Sequence, residues 1–198
     1  MIRSATCLAV MKNELGKLVF AADRRLSWDM SKAQIGPRPK ITKRKGILFA
    51  GTGVSYLCDL ITDVLPIPDY DSTIVDPFYF MHQVLAPEIN SLLSSKGLLD
   101  KDVAKLHNKD MHSAVIIGMK GQLFELDMSE EGLFIDAIDV PHTHGCGGKY
   151  ALGVIQYLLD TKINIGTEEI LRSALRTAAQ ISPGCDSNID ILVHFHSC

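Results

Sequence analysis

TCLAVMKNELGKLVFAAD, residues 6–23, sets two apolar runs rich in strand-forming residues on either side of Asn13-Glu14-Leu15-Gly16. Polar, glycine-ended chemistry between two such runs specifies a β-hairpin. A hairpin returns its far end to its own start, so Asp23 comes back beside Ser4, Ala5, Thr6 and Cys7. Three of those four residues carry a hydroxyl or thiol that could act as a nucleophile.

Working outward, PKITKRKGILFAGTG (39–53) repeats the pattern. A short strand around Lys40–Thr42 leads through a Lys-Gly turn to the apolar strand Ile47–Ala50, which ends in Gly51-Thr52-Gly53. Val54, Leu57, Leu60, Ile61 and Val64 then recur at helical spacing until Pro66 stops them. Asp76-Pro77 pairs an N-cap with a proline at the first helical position, and opens a helix carrying Phe80, Val84, Ile89, Leu92 and Leu93, with a kink expected at Pro87.

HSAVIIGMKGQLFELDMSEEGLFIDAI (112–138) reads as three strands joined by turns. GGKYALGVIQYLLD (147–160) and TEEILRSALRTAAQI (167–181) read as two helices, the second starting at Thr167 with acidic residues in its first turn. NIDILVHFHS (188–197) reads as a strand buried on both faces. Strands, two helices, strands, two helices and a strand predict an α+β, four-layer αββα sandwich. Residues 66–76 and 97–112 are the expected mobile loops.

The 198 residues, 46% apolar and 22% charged, suit one domain with a substantial core. A net charge of −3 and a pI near 6.1 give no basic footprint for nucleic acid, since Arg38, Lys40 and Lys43-Arg44-Lys45 read as a solvated hairpin rim. Five scattered cysteines fit reduced thiols in a cytoplasm better than a disulfide framework. No signal segment and no bilayer-length apolar run are present, so no membrane partner is expected.

The first 53 residues thus gather a hydroxyl near the N-terminus, Asp23, Lys40 and a glycine turn. A hydroxyl needs a base to become a nucleophile, and a lysine held by a carboxylate can tune and orient that base. A backbone N–H exposed at a glycine turn can receive a developing oxyanion. This inventory suits acyl transfer.

On the segments TCLAV (6–10), LVFAADRR (18–25), PKITK (39–43), ILFAGTG (47–53) and GCGGKYALGV (145–154), the chain resembles the proteasome β-subunit and HslV-type peptidases. These belong to the N-terminal nucleophile hydrolases. The resemblance implies the four-layer fold, homo-oligomeric stacked rings around a chamber, and hydrolysis of unfolded polypeptides by an N-terminal threonine without a cofactor. It also implies an ATP-dependent unfoldase or gating partner; with no Walker motif in this chain, any ATP dependence would come from that partner.

By position, the resemblance makes Asp23 and Lys40 the active-site acid and lysine and Gly51 the oxyanion-hole glycine. Cys146 stands where the family usually has a serine hydrogen-bonded near the terminal amine. Asp186 or Ser187 falls near a late Asp/Ser pair, although SPGCDSNID (182–190) departs from the usual loop. Phe49 matches a position shaping the side-chain pocket, which implies a preference for an apolar or modest-sized substrate residue.

Two hairpin registers compete for the nucleophile. Aligning Leu8-Ala9-Val10 with the corresponding family triplet puts Ala5 at the catalytic position and leaves the subunit silent. A four-residue loop ending in Gly16 instead pairs Thr6 with Asp23 and makes Thr6 the nucleophile, the register favoured by its turn chemistry. Thr6 can then act only if residues 1–5 are a propeptide, leaving 6–198 as a single peptidase domain, because the base is the nucleophile's own freed α-amine.

Three functions follow: a threonine-type endopeptidase, a catalytically silent structural ring subunit, or a small-amide N-terminal nucleophile amidohydrolase using Cys7. Against them stand plainer readings, in which Asp23–Lys40 is a structural ion pair, Thr6 and Cys7 are strand residues, and Gly145–Gly148 is a turn. His-x-His-x-Cys at 142–146 and again at 194–198 could offer zinc ligands on one strand face, but nothing in the sequence brings the two together. The preferred reading has no metal.

Overall fold

In the computed structural model, residues 3–4, 6–27, 33–70, 75–98, 113–129 and 132–194 are described. Two antiparallel sheets lie face to face. The larger contains β1 (Arg3–Ser4), β4 (Arg25–Ser27), β5 (Ala33–Ile35), β6 (Ile41–Arg44), β7 (Ile47–Val54), β8 (Ser113–Met119), β9 (Gln122–Ser129) and β10 (Gly132–Ile138). Its order is β10-β9-β8-β7-β1-β4-β5, with β6 also on β7. The smaller sheet runs β11 (His142–Gly145), β2 (Cys7–Lys12), β3 (Leu18–Asp23), β12 (Ile189–Val193).

Both faces of the β2–β3 hairpin are covered, which explains why its sequence is apolar almost without alternation. Leu8, Val10, Leu18, Phe20 and Ala22 meet Leu48, Ala50 and Ile116 between the sheets. Cys7, Ala9, Met11, Val19 and Ala21 face the opposite way, onto α4 (Gly148–Asp160) and α5 (Thr167–Ile181). The outer face of the larger sheet packs Ile47, Phe49, Val115 and Ile117 against Ile61, Phe80, Leu85 and Ile89. The layers are therefore helix, sheet, sheet, helix.

The first helical layer starts with α1 (Ser55–Asp59), which runs on as a π-helical turn over Leu60–Val64. It continues as α2 (Pro77–Tyr79), a π-helical stretch over Phe80–Leu85, and α3 (Ala86–Ser95). Asp76 caps α2, its carboxylate accepting from the Tyr79 N–H at 2.8 Å. The second π-helical stretch falls just before Pro87, whose missing N–H forces the hydrogen-bond ladder to readjust there. Lys45-Gly46 and Lys120-Gly121 all have positive φ and form the two tight hairpin turns.

Two expectations are corrected. The first hairpin closes on a three-residue loop, not four: the Asn13 N–H donates to the Lys17 carbonyl and the Gly16 N–H to the Asn13 carbonyl, each at 2.9 Å. Asn13 Oδ1 also accepts from the Leu15 and Lys17 N–H groups, which draws one more residue into the closing pair. Pairing then runs from Lys12↔Leu18 to Leu8↔Ala22, so Cys7 rather than Thr6 comes opposite Asp23.

Strand β12 is half-buried rather than enclosed, with Leu192 36% exposed, because among the described residues it is an edge strand paired with β3 alone. Helix α5 begins at Thr167 with Glu168 and Glu169 in its first turn, as expected, and Gly166 is its N-cap. Residues 71–74 and 99–112, most of the two expected loops, lie outside the described residues.

Candidate active site

The two sheets meet at one end through four consecutive choices of the chain. Thr6 immediately precedes β2, Asp23 closes β3, Lys40 precedes β6, and Gly51 lies within β7 where β6 ends and β1 begins on the same edge. Thr6 and Asp23 are 1% and 0% exposed. The Lys40 ammonium donates to Thr6 Oγ1 at 2.9 Å and to Asp23 Oδ1 at 2.8 Å. One cation therefore bridges the hydroxyl and the carboxylate.

Asp23 is held from further sides. Its Oδ1 accepts the Cys7 N–H at 3.2 Å, and its Oδ2 accepts the Asp186 N–H at 3.1 Å. Burial pushes its pKa up to about 6, against the opposing pull of Lys40 and of the two backbone donors. The carboxylate is thus ionised at neutral pH yet ready to take a proton just below it.

Cys146 donates to the Thr6 carbonyl oxygen at 3.4 Å, and its sulfur lies 3.5 Å from that of Cys185. Asp186 contributes through its backbone, while its side chain accepts from the Asn188 N–H at 2.6 Å. Ser187 is exposed and makes none of these contacts. The Gly51 N–H points at the Lys40 carbonyl over 3.4 Å, a long and weak bond. Cys7, the alternative nucleophile, is fully buried in the cluster beneath α4 and α5.

Phe49 does not shape a pocket here: it is 0% exposed in the core beneath the first helical layer, because Ile47 and Phe49 face the helices while Leu48 and Ala50 face the other sheet. The groove beside Lys40, about 160 Å³ in volume, is lined instead by Leu26, Arg38, Ser55, Cys58, Asp59 and Asp63, among others.

Among the described residues, the two His-x-His-x-Cys segments supply no common ligand set. His142 and His144 share a face of β11 and reach Glu125 at 3.5 and 3.3 Å, while His144 Nδ1 lies 2.7 Å from Thr52 Oγ1. Gly145, with φ +87°, turns the chain so that Cys146 leaves that face for Thr6 and Cys185. His194 bonds the Gly46 carbonyl at 2.6 Å, and His196 and Cys198 lie outside the described residues. Among the described residues, no group of three or more His, Cys, Asp or Glu could hold a metal ion.

Several contributors escape a sequence reading. Arg24 forks onto Asp190 at 2.7 and 2.5 Å, tying β3 to β12 directly after Asp23. An Asp-Arg pair facing an acid in a later strand is the only signal for it. Cys185, Thr52 and His144 act across long sequence separations, and β1, two residues long, is too short for any periodicity to show.

No protein-family model matches the sequence, and no curated protein does. Solved structures do. HslV from Trypanosoma brucei superposes with a TM-score of 0.66 at 18% identity, over 96% of this chain and 99% of that one. BPH of Thiobacillus denitrificans gives 0.68 at 16% identity, over 95% and 96%. Anbu, an ancestral beta-subunit from Yersinia bercovieri, gives 0.62 at 14%, over 96% and 81%. The chain therefore carries the proteasome-type N-terminal nucleophile fold that HslV, BPH and Anbu share.

Proposed function

We propose that this chain is a threonine-type endopeptidase subunit of a self-compartmentalising homo-oligomeric ring, hydrolysing peptide bonds of unfolded polypeptides. The observation that carries this reading is the Lys40 ammonium set between Thr6 Oγ1 and Asp23. Cleavage of the 5–6 bond would free the Thr6 α-amine, a base suited to neutral pH, whereas an amide nitrogen is not. The amine takes the Oγ1 proton as the oxygen attacks the scissile carbonyl, and Lys40, fixed by Asp23, stabilises the developing charge. The amine then returns the proton to the leaving nitrogen. Water hydrolyses the resulting ester.

Gly51 is the oxyanion donor in this scheme, since its N–H gives up only a weak internal bond. Cys146 takes the supporting place by the Thr6 backbone. The leader also fits the reading: Arg3–Ser4 is hydrogen-bonded between β4 and β7, with Arg3 opposite both Ser27 and Val54. Its removal would leave two facing strand edges, one strand apart, on which an extended peptide could add as a strand running to Thr6. An ATP-dependent unfoldase or gating partner would supply folded substrates.

The test is intact mass and N-terminal sequence of the assembled protein, with fluorogenic peptide hydrolysis on the same sample. A chain beginning at Thr6 and turning over peptide is expected, and Thr6→Ala should keep residues 1–5 and hydrolyse nothing. Epoxomicin, with which BPH was solved, gives a second readout on the processed chain. Full turnover by Thr6→Ala would overturn the proposal. The same leader pairing favours one second reading, a silent ring subunit, whose assembled form would keep Arg3–Ser4 and show no turnover.

A further inference from the structure

Three thiols from distant parts of the chain converge behind Thr6. Cys146 follows β11, Cys185 lies between α5 and β12, and Cys7 opens β2. The Cys146 and Cys185 sulfurs are 3.5 Å apart, and Cys185 also bonds Cys7. Gly147 lies against both Cys185 and Cys7, so a side chain there would displace them. Of the three, only Cys146 is exposed; Cys7 and Cys185 are buried. This is the arrangement of an accessible thiol backed by a partner already in contact.

We propose that Cys146 and Cys185 form a reversible disulfide that switches off the Thr6 site. Hydrogen peroxide oxidises the Cys146 thiol to a sulfenic acid, and one water leaves. The Cys185 sulfur then attacks that sulfur, a second water leaves, and the S–S bond forms. The two thiols lose two electrons in total and the peroxide O–O bond takes them. A dithiol reductant reverses the step.

The consequence for the site is geometric. The disulfide has no S–H, so the Cys146 bond to the Thr6 carbonyl is lost. Closing the sulfurs from 3.5 Å to a bond of about 2.0 Å draws the 145–148 turn and the 182–186 loop together. That loop carries the Asp186 N–H that holds Asp23. Displacements of about 1 Å at a catalytic group can cost about 100-fold in rate. The bond to Cys185 and burial hold the Cys146 thiol above its ordinary range. For Cys185 the bond to Cys146 pulls down, but the bond to Cys7 and burial outweigh it and push the thiol up to about 12. Oxidation should therefore quicken as pH rises.

The loss of turnover rests on the threonine-peptidase reading; the disulfide does not. Assembled protein is treated with hydrogen peroxide at mildly alkaline pH, its remaining thiols are alkylated, and a non-reducing digest is mapped by mass. A cross-linked peptide containing Cys146 and Cys185, lost on reduction, is expected, with a fall in peptide hydrolysis of at least about tenfold that a dithiol restores. Cys185→Ala should form no cross-link, and whatever hydrolysis it retains should resist the oxidant. A map showing oxidised Cys146 without Cys185, or a Cys7–Cys185 link in its place, overturns the pair. Equal inactivation of Cys185→Ala overturns the switch. A sample without any turnover refutes the peptidase reading while the map still decides the disulfide.

Discussion

Gly145 lies so close to Thr6 that a Cβ on it would overlap the Thr6 carbonyl oxygen. The contact follows from register: Gly145 pairs with Cys7 at the last step of the β11–β2 ladder, so the backbone just before β2 passes over it. Its φ of +87° then sends Cys146 back toward that same carbonyl.

This contact separates two glycines of similar conformation. Gly16, at φ +71°, has open space around its missing Cβ, so Gly16→Ala should cost only backbone strain, about 1 kcal/mol. Gly145→Ala adds a collision with backbone to the same strain and should cost about 3 kcal/mol or more. Urea denaturation of the two variants measures the difference. Release of the 1–5 segment should fail in Gly145→Ala and proceed in Gly16→Ala.

Asp23 sets the expected pH dependence. With its pKa at about 6, protonation below that point dissolves the ion pair with Lys40, so hydrolysis should fall about tenfold per pH unit on the acid side. Asp23→Asn should give a low rate whose acid side lacks the additional fall near pH 6 and keeps only that of the Thr6 α-amine. Stability moves the other way for this group. Its folded pKa lies above the ordinary 3.8, so the folded state binds the proton more tightly than the unfolded chain. Its ionised form is a penalty at neutral pH, relieved as pH falls from about 6 toward 3.8. The pH–rate profile and denaturation at pH 7 and 5 (roughly the two sides of this titration) check both signs.

How far the sequence carries depends on the range over which its signals act. Layers and hairpins are legible because Leu8, Val10, Phe20 and their neighbours are apolar on both strand faces, and because Lys-Gly and Asp-Pro mark turns and caps locally. Thr6, Asp23 and Lys40 are each marked locally as lying at a strand end, but they belong to hairpins of two different sheets, and the packing of those sheets brings them together. The register escapes because it depends on Asn13 Oδ1 closing the loop, a single side-chain choice that no periodicity encodes. Phe49 and β12 escape for a different reason: which face of β7 meets the helices, and which strand forms the edge, are decided by distant partners.

Removing Lys40 should expose how strongly the pair is coupled. Lys40→Met leaves a buried carboxylate without its cation and should destabilise by about 3 kcal/mol at neutral pH. The loss should shrink in acid, where Asp23 takes up a proton. Lys40→Met combined with Asp23→Asn removes both charges and should be more stable at neutral pH than Lys40→Met alone, a coupling that a double-mutant cycle reads directly. Additive losses would mean that Asp23 and Lys40 do not sense each other.

Thr52 and His144 provide a further polar connection between the sheets. Thr52 is buried on β7, and its hydroxyl lies 2.7 Å from His144 Nδ1 on β11, whose other nitrogen reaches Glu125 on β9. Thr52→Val keeps the shape but strands the histidine nitrogen, and should cost about 1–2 kcal/mol in urea denaturation. The hydrogen bond from His144 holds Glu125 below its ordinary 4.5, so its contribution is present above that value and lost as pH falls through the folded pKa. Burial lowers the His142 pKa below 6.5, so the unfolded chain takes up that proton first as the solution is acidified. Both groups therefore weaken the sandwich in acid, opposite in sign to Asp23. Glu125→Gln should flatten the decline below about pH 4.5 while leaving the Asp23-dependent limb of the rate profile unmoved.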